Sequence, residues 1–251
     1  MEKYFEINKE GLNIRCKIYF EKGEAIRKAV LFGHGFGGHK DNKAAERYAD
    51  HVLKKHKDVS VILFNWPCHG DDVRKKLTLD DCMKYLGLVI RDTSERFPEA
   101  ELYGYATSFG GYLFLKYIHD HGDPFQKTAL RCPAVNMFAV LTGAIMRNNE
   151  LDRLRKGKEV PVGFDRKIMV SPAFLDELQA ADIREYDYLE YAESLLIIHG
   201  TADEVVPFED SRLFAENNLI EFIPIERADH RFQDPKKMDE AIRHIQTFFS
   251  W

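Results

Sequence analysis

The chain has 251 residues and a formal net charge of −5, with 45% hydrophobic and 31% charged residues. Acidic and basic side chains are interspersed, as between Lys54 and Asp58 or Arg153 and Glu159, which argues against nucleic acid as a partner. No apolar run approaches the roughly 18–20 residues of a membrane span, and the opening MEKYFEINKEG lacks the apolar centre of a signal peptide, so a soluble, cytoplasmic setting is expected.

Tyr4–Ile7 and Leu12–Phe20 have strand character around the turn residues Asn8-Lys9-Glu10-Gly11, so the chain should open with a β-hairpin. Short apolar runs follow at Ala29–Phe32, Val59–Phe64, Leu102–Tyr105, Thr128–Leu130, Leu195–Ile198 and Ile220–Ile225. They are too apolar for half-exposed strands and fit a parallel sheet covered on both faces. Helical spacing fills the intervals. Asp41 and Asn42 can cap a helix whose Ala45, Tyr48, Ala49 and Val52 share a face, and Thr78 can cap one carrying Leu79, Met83, Leu86 and Ile90. Asp234-Pro235 starts a third, with Met238, Ile242, Ile245 and Phe249 as its stripe. The segment after Ser108, FGGYLFLKYIHDHG, is apolar nearly all round and belongs in the interior.

From Ala134 to Glu193 this rhythm breaks, passing through RLRKGK, the hairpin-like VPVGFDRKIMVS and an acidic, tyrosine-rich stretch. A long excursion between core elements is expected to be a cap or binding element, against the plainer reading of extra surface helices. Cys16, Cys68, Cys82 and Cys132 include no CxxC pair, so neither a zinc site nor a disulfide framework is expected.

The chemistry concentrates in the loops. In Tyr105-Ala106-Thr107-Ser108-Phe109-Gly110, Ser108 lies between a strand and a buried helix, where a sharp turn needs small residues two positions to either side. Ala106 stands where glycine is usual, adding one methyl. His230, in Ala228-Asp229-His230-Arg231, follows the last strand and precedes the last helix. Of the other nine histidines, His34, His39, His69 and His199 also fall in loops, while His51, His56, His119, His121 and His244 lie on or beside helices. Asp203 follows the Leu195–Ile198 strand, with Glu204 as the alternative acid and helix capping as the plainer role for both. Gly33, Gly35 and Gly38 spell GxGxxG, but the following strand ends Phe64-Asn65-Trp66-Pro67, without the acid that would hold a nucleotide ribose. The glycines suit an oxyanion loop better, with the Phe36 and Phe109 amides as donors.

HGFGG after the third strand, NWPCHGDD after the fourth, ATSFGG after the fifth, HGTADEVVP after the seventh and ADHRF after the eighth resemble the α/β-hydrolase family in their order, over nearly the whole chain. The resemblance implies an α/β-hydrolase fold: a mostly parallel eight-stranded sheet with an N-terminal antiparallel hairpin, helices on both faces and a small cap insertion. Residues 1–133 and 194–251 would form the core and 134–193 the cap. It implies Ser108 as nucleophile, His230 as base, Asp203 as its orienting acid, and the Phe36 and Phe109 amides as the oxyanion hole. Within the family, the small cap and overall length are most similar to intracellular carboxylesterases, including cinnamoyl or feruloyl esterases and monoacylglycerol lipases. The expected activity is cofactor-free and metal-free hydrolysis of a small-molecule ester, with no membrane span, and a homodimer is compatible with the sequence. The same fold also supports thioester, amide or C–C cleavage, perhydrolysis, or binding without catalysis. Met137, Phe138, Ile145, Met146, Met169 and Phe174 are the expected pocket residues of the insertion.

Overall fold

Hydrophobic patterning and turn chemistry account for most of the architecture in the computed structural model, which describes residues 1–163 and 166–251. The hairpin is present: β1 (Glu2–Lys9) pairs antiparallel with β2 (Leu12–Phe20) through a tight turn whose Glu10 and Gly11 both have positive φ. The sheet continues through β3 (Lys28–Gly33), β4 (Val59–Phe64), β5 (Glu101–Thr107) and β6 (Lys127–Arg131). A two-stranded hairpin, β7 (Val160–Val162) and β8 (Ile168–Val170), stands apart, and β9 (Leu195–Gly200) and β10 (Glu221–Ile225) complete the main sheet. The order β1-β2-β4-β3-β5-β6-β9-β10 is parallel from β4 to β10. Of VPVGFDRKIMVS, both strands are present, and residues 164 and 165 at its tip lie outside the described residues.

Burial explains the strand sequences. Every residue of β4 and β9 is buried, as covering both faces requires. Edge strand β1 is mostly exposed and charged, and edge strand β10 carries Pro224, which lacks an amide hydrogen; both discourage pairing with another chain.

Helices α1 (Lys43–Lys55), capped by the Asn42 side chain, and α8 (Pro235–Phe248), capped by Asp234, cover one face. Helices α2 (Leu79–Arg96), capped by Thr78, and α3 (Phe109–His121) cover the other. The stripes expected from spacing, including Tyr48, Val52, Leu86, Ile242 and Ile245, are all buried, and so is the first turn of α3. Between β6 and β9 run α4 (Met137–Ala139), a π-helical turn at Val140–Ile145, α5 (Asn148–Arg155), the β7–β8 hairpin and α6 (Pro172–Ala180). The Tyr112 and Tyr188 hydroxyls tie this segment to α3, donating to the carbonyls of Ala181 and Leu115 respectively. Helix α7 (Phe208–Asn217) follows β9.

One topological consequence sets up the site. From β3 the chain crosses to β4 on one side, then returns to place β5 on the other side of β3. Ligand crevices in parallel sheets open where the order reverses, beyond the carboxyl ends of the strands. The loops after β3 and β5 therefore face each other there, and they carry HGFGG and Ser108. Ile197→Ala, in the wholly buried centre of β9, should cost about 2–5 kcal/mol, read as a lower urea midpoint at unchanged m-value.

Candidate active site

Ser108 occupies the turn between β5 and α3 with φ 53 and ψ −118, a backbone conformation costing about 1–3 kcal/mol for a residue other than glycine. Three hydrogen bonds hold it there. Its amide donates to the Arg131 carbonyl, and its own carbonyl accepts from the amides of Tyr112 and Ala134, each at 3.1 Å. Space is made by neighbours without side chains. A Cβ on Gly110 would lie 2.4 Å from the Gly33 carbonyl oxygen, and one on Gly35 would lie 3.3 Å from Ser108 Cβ. Ala106 pairs in register with Gly33, and its methyl sits 3.3 Å from where a Gly33 Cβ would be. The alanine is accommodated because the glycine stands opposite.

The HGFGG loop is folded by local bonds. The Gly38 amide donates to the Gly35 carbonyl at 3.0 Å with Gly37 at φ 75, a type II turn whose third residue must be glycine and whose own bond leaves the Phe36 amide unused. His34 anchors the loop from beneath. Its Nδ1 lies 2.8 Å from the Gly35 carbonyl, and Trp66 Nε1 donates to the His34 carbonyl at 2.9 Å. The Phe36 ring meets those of Phe109 and His69 edge-on, and the His69 ring is stacked on Phe109. Phe109 opens α3, so its amide has no intrahelical acceptor.

The other two loops converge through another close approach: a Cβ on Gly200 would lie 2.2 Å from the Ala228 carbonyl oxygen, and the Ala202 amide donates to that carbonyl at 3.0 Å. This brings His230 Nδ1 to 2.8 Å from Asp203 Oδ2. With Nδ1–H donating to a carboxylate, Nε2 is left as the proton-accepting nitrogen. Glu204, the alternative acid, accepts from the His230 backbone amide at 3.3 Å and, among the described residues, makes no contact with the imidazole. Asp203 Oδ1 accepts from the Val205 and Val206 amides, both at 2.8 Å, in the loop ahead of α7; it does not cap that helix, whose N-cap is Pro207, and the imidazole contact uses the opposite oxygen.

A second imidazole reaches Asp203. His199, fully buried in β9, places Nε2 3.1 Å from Asp203 Oδ2 and 3.2 Å from the Val206 carbonyl. Both neighbours accept, so the proton resides on Nε2, and the buried Nδ1 has no partner. Burial works to raise the Asp203 carboxyl, but hydrogen bonds from His199, His230 and the Val206 amide outweigh it, holding the group ionised well below the usual carboxylate range. Sequence reasoning kept His199 among the loop histidines without assigning it; its signal is the four-residue offset from Asp203 across the strand end. The Cys132 sulfur, an Asp203 oxygen and a His230 ring nitrogen lie within 4.8 Å of one another, but both Asp203 oxygens are already engaged, Oδ2 by the two imidazoles and Oδ1 by the Val205 and Val206 amides.

Ser108 and His230 line one cavity of about 830 Å³, together with Gly35, Phe36, Thr107, Arg131, Ala144, Ile145, Arg166 and Glu204. Of the six residues expected from the insertion, only Ile145 lines it. Met137 and Phe138 border a separate cavity of about 180 Å³, Met146 is buried elsewhere, Phe174 is buried edge-on to Phe109, and Met169 is 40% exposed. The π-helical turn presents Ile145 as expected and adds Ala144 beside it.

A strand order reversing beside a serine elbow, with the acid and imidazole loops following later strands, defines an α/β-hydrolase fold. The sequence profile of the prolyl oligopeptidase family (Peptidase_S9) matches residues 65–251, and the chain belongs to that family. Among solved structures it is similar to Est1E from Butyrivibrio proteoclasticus (16% identity, 99% of both chains, TM-score 0.75). It is also similar to a putative hydrolase from Agrobacterium vitis S4 (16%, 99% of both, 0.76) and to mouse alpha/beta hydrolase domain-containing protein 10 (16%, 99% of this chain and 98% of that one, 0.75). At such identities the likeness concerns the fold. No curated protein sequence matches the chain. Among the described residues, no helix is long and apolar enough to cross a membrane.

Two predictions follow from the packing. Gly200→Ala should destabilise the fold by about 1–3 kcal/mol, measured by urea unfolding, because the added methyl must displace the Ala228 carbonyl. His69 is fully buried, and burial lowers its pKa from 6.5 to about 4. The unfolded chain therefore takes up this proton first, and the stability held by the neutral ring is complete above about pH 6.5 and lost as pH falls to about 4. His69→Gln should remove about 3 kcal/mol of that acid dependence, seen as a flatter stability curve between pH 6.5 and 4.

Proposed function

We propose that the chain is a serine hydrolase that cleaves a small to medium carboxylic ester through an acyl-enzyme. The observation that carries this reading is the Asp203–His230 contact at 2.8 Å opening onto the same cavity as a serine held at φ 53. Ser108 Oγ attacks the ester carbonyl carbon while His230 Nε2 takes the hydroxyl proton. The developing oxyanion is received by the Phe36 and Phe109 amides. The C–O bond to the alcohol then breaks, and Nε2 returns the proton to the departing alkoxide. Water repeats the sequence on the acyl-serine, releasing the carboxylic acid and restoring the serine. Asp203 holds the Nδ1–H tautomer and stabilises the imidazolium formed in each half. These steps use only the chain's own groups, with no metal or cofactor in any of them.

Residues 134–193 act in this proposal as a cap on the core formed by 1–133 and 194–251, contributing Ala144, Ile145 and Arg166 to the cavity wall. Support for an ester comes from Est1E, a structure of which has ferulic acid bound. The family description favours a second reading, cleavage of an amide or peptide bond by the same groups. The two are separated by matched substrates: ethyl and p-nitrophenyl esters, with methyl ferulate, against the corresponding anilides. The ester reading expects turnover of esters well above that of anilides. Ser108→Ala should lower kcat by about 10⁴–10⁶, and a variant with wild-type ester turnover would refute the assignment.

A further inference from the structure

We propose that the cavity takes an ester that carries a second, ionised carboxylate, and that Arg131 receives this charge. The proposal rests on the hydrolase reading above and names its substrate class.

Arg131 is the last residue of β6, and its backbone is coupled directly to the serine: it pairs in register with Thr107, and its carbonyl accepts the Ser108 amide at 3.1 Å. Arg131 is among the residues that line the cavity, yet it is only 6% exposed. Two neutral contacts fix its orientation. One Nη donates to the Arg231 carbonyl at 3.2 Å, and the guanidinium lies 4.9 Å from the centre of the Phe232 ring. Nε is itself sealed from the cavity, the buried Tyr105 hydroxyl is a further neutral neighbour of the guanidinium, and among the described residues no carboxylate pairs with the group. Arginine is rarely buried to this degree unless paired, because a desolvated charge is costly without a counter-charge. A planar guanidinium already oriented, with no carboxylate beside it, is suited to a carboxylate.

The surroundings favour the same ligand. Arg131, Arg166 and Arg231 line the cavity with Lys43, which pairs with Glu46 at 2.8 Å, against Asp41 and Glu204, although the whole chain carries −5. Asp41 is engaged outward, accepting from the Tyr4 hydroxyl at 2.7 Å and pairing with Lys17 and Lys40. Glu204 accepts from the His230 amide at 3.3 Å and keeps its charge, so the basic groups outnumber it rather than replace it. Arg166 projects charge across the glycine loop, where it acts together with burial to lower the pKa of His39. Asn42, Lys43 and Ala44, at the positive end of the 13-residue α1, also line the cavity. The basic lining is thus local to the cavity and opposite in sign to the molecule. An ester with its carbonyl at Ser108 and a carboxylate toward Arg131 meets both features within one enclosure.

The test compares ethanol release from monoethyl adipate and from ethyl hexanoate at pH 7.5 in wild type, Arg131→Met and Arg131→Lys. The expected result is a wild-type kcat/KM ratio favouring the half-ester by about tenfold or more, a fall toward unity in Arg131→Met carried by KM, and an intermediate ratio in Arg131→Lys. A wild-type ratio near unity, or one that Arg131→Met leaves unchanged, overturns the proposal. Should Arg131→Met fail to fold, Arg166→Gln gives the same ratio from a surface position, and a ratio there equal to wild type counts against the basic lining as the source of preference. Calorimetric titration with adipate separates this proposal from the hydrolase reading. If neither ester is cleaved, the hydrolase reading fails, while adipate binding that weakens about tenfold in Arg131→Lys or Arg131→Met sustains the anion site. Adipate binding that is absent or equal in all variants sinks the anion site whatever the esters do.

Discussion

The structure turns on the room left for one strained residue. Ser108 stands at φ 53 between a fully buried strand end and a buried helix, and a turn that sharp closes only if the chain beneath it has no side chains. Gly110 supplies this against the Gly33 carbonyl, where even a methyl would sit at 2.4 Å, and Gly33 in turn admits the methyl of Ala106. The same scarcity of atoms brings the Gly35 backbone against Ser108. A steric condition of the fold thereby places a glycine-loop backbone beside a serine hydroxyl, the proximity that an oxyanion site requires.

A second close approach mirrors the first. Gly200 and Ala228 pack backbone to backbone, so the loops after β9 and β10 cannot separate without losing that contact. Asp203 and His230 are held by it at 2.8 Å, and His199 meets the same carboxylate oxygen from within β9 at 3.1 Å. A carboxylate held between two imidazoles and two amides has little freedom to reorient. Such rigidity suits a group whose part, in the proposed mechanism, is to hold one tautomer of its neighbour.

Much of this was legible in the sequence, for physical reasons. Strands such as Val59–Phe64 and Leu195–Ile198 are covered on both faces, so their composition alone separates them from edge strands. The Asn42, Thr78 and Asp234 caps announce helices because few other side chains serve free amides at a helix start. The order of Ser108, Asp203 and His230 is a consequence of topology and can be read along the chain. What stayed hidden depends on contacts between distant segments. The His34–Trp66 bond spans two strand ends, His199 acquires meaning only through the fold of the Asp203 loop, and Arg131 looks like any strand-terminal arginine until its burial is known. The insertion, Ile145 apart, escaped this reading. Its cavity-lining residues come from a π-helical turn and a hairpin, so Met169 faces solvent while Ala144 and Ile145 face the cavity.

Activation of Ser108 as nucleophile by His230 is the step on which the proposed mechanism rests. Its most direct measurement is peptide mapping by mass spectrometry after the folded protein is treated with a fluorophosphonate, with a His230→Ala sample alongside. The account predicts a phosphonyl adduct on Ser108 in the wild-type chain and far slower labelling in the variant. An unmodified Ser108 in the folded wild-type protein, or an adduct on another side chain with Ser108 intact, would contradict it.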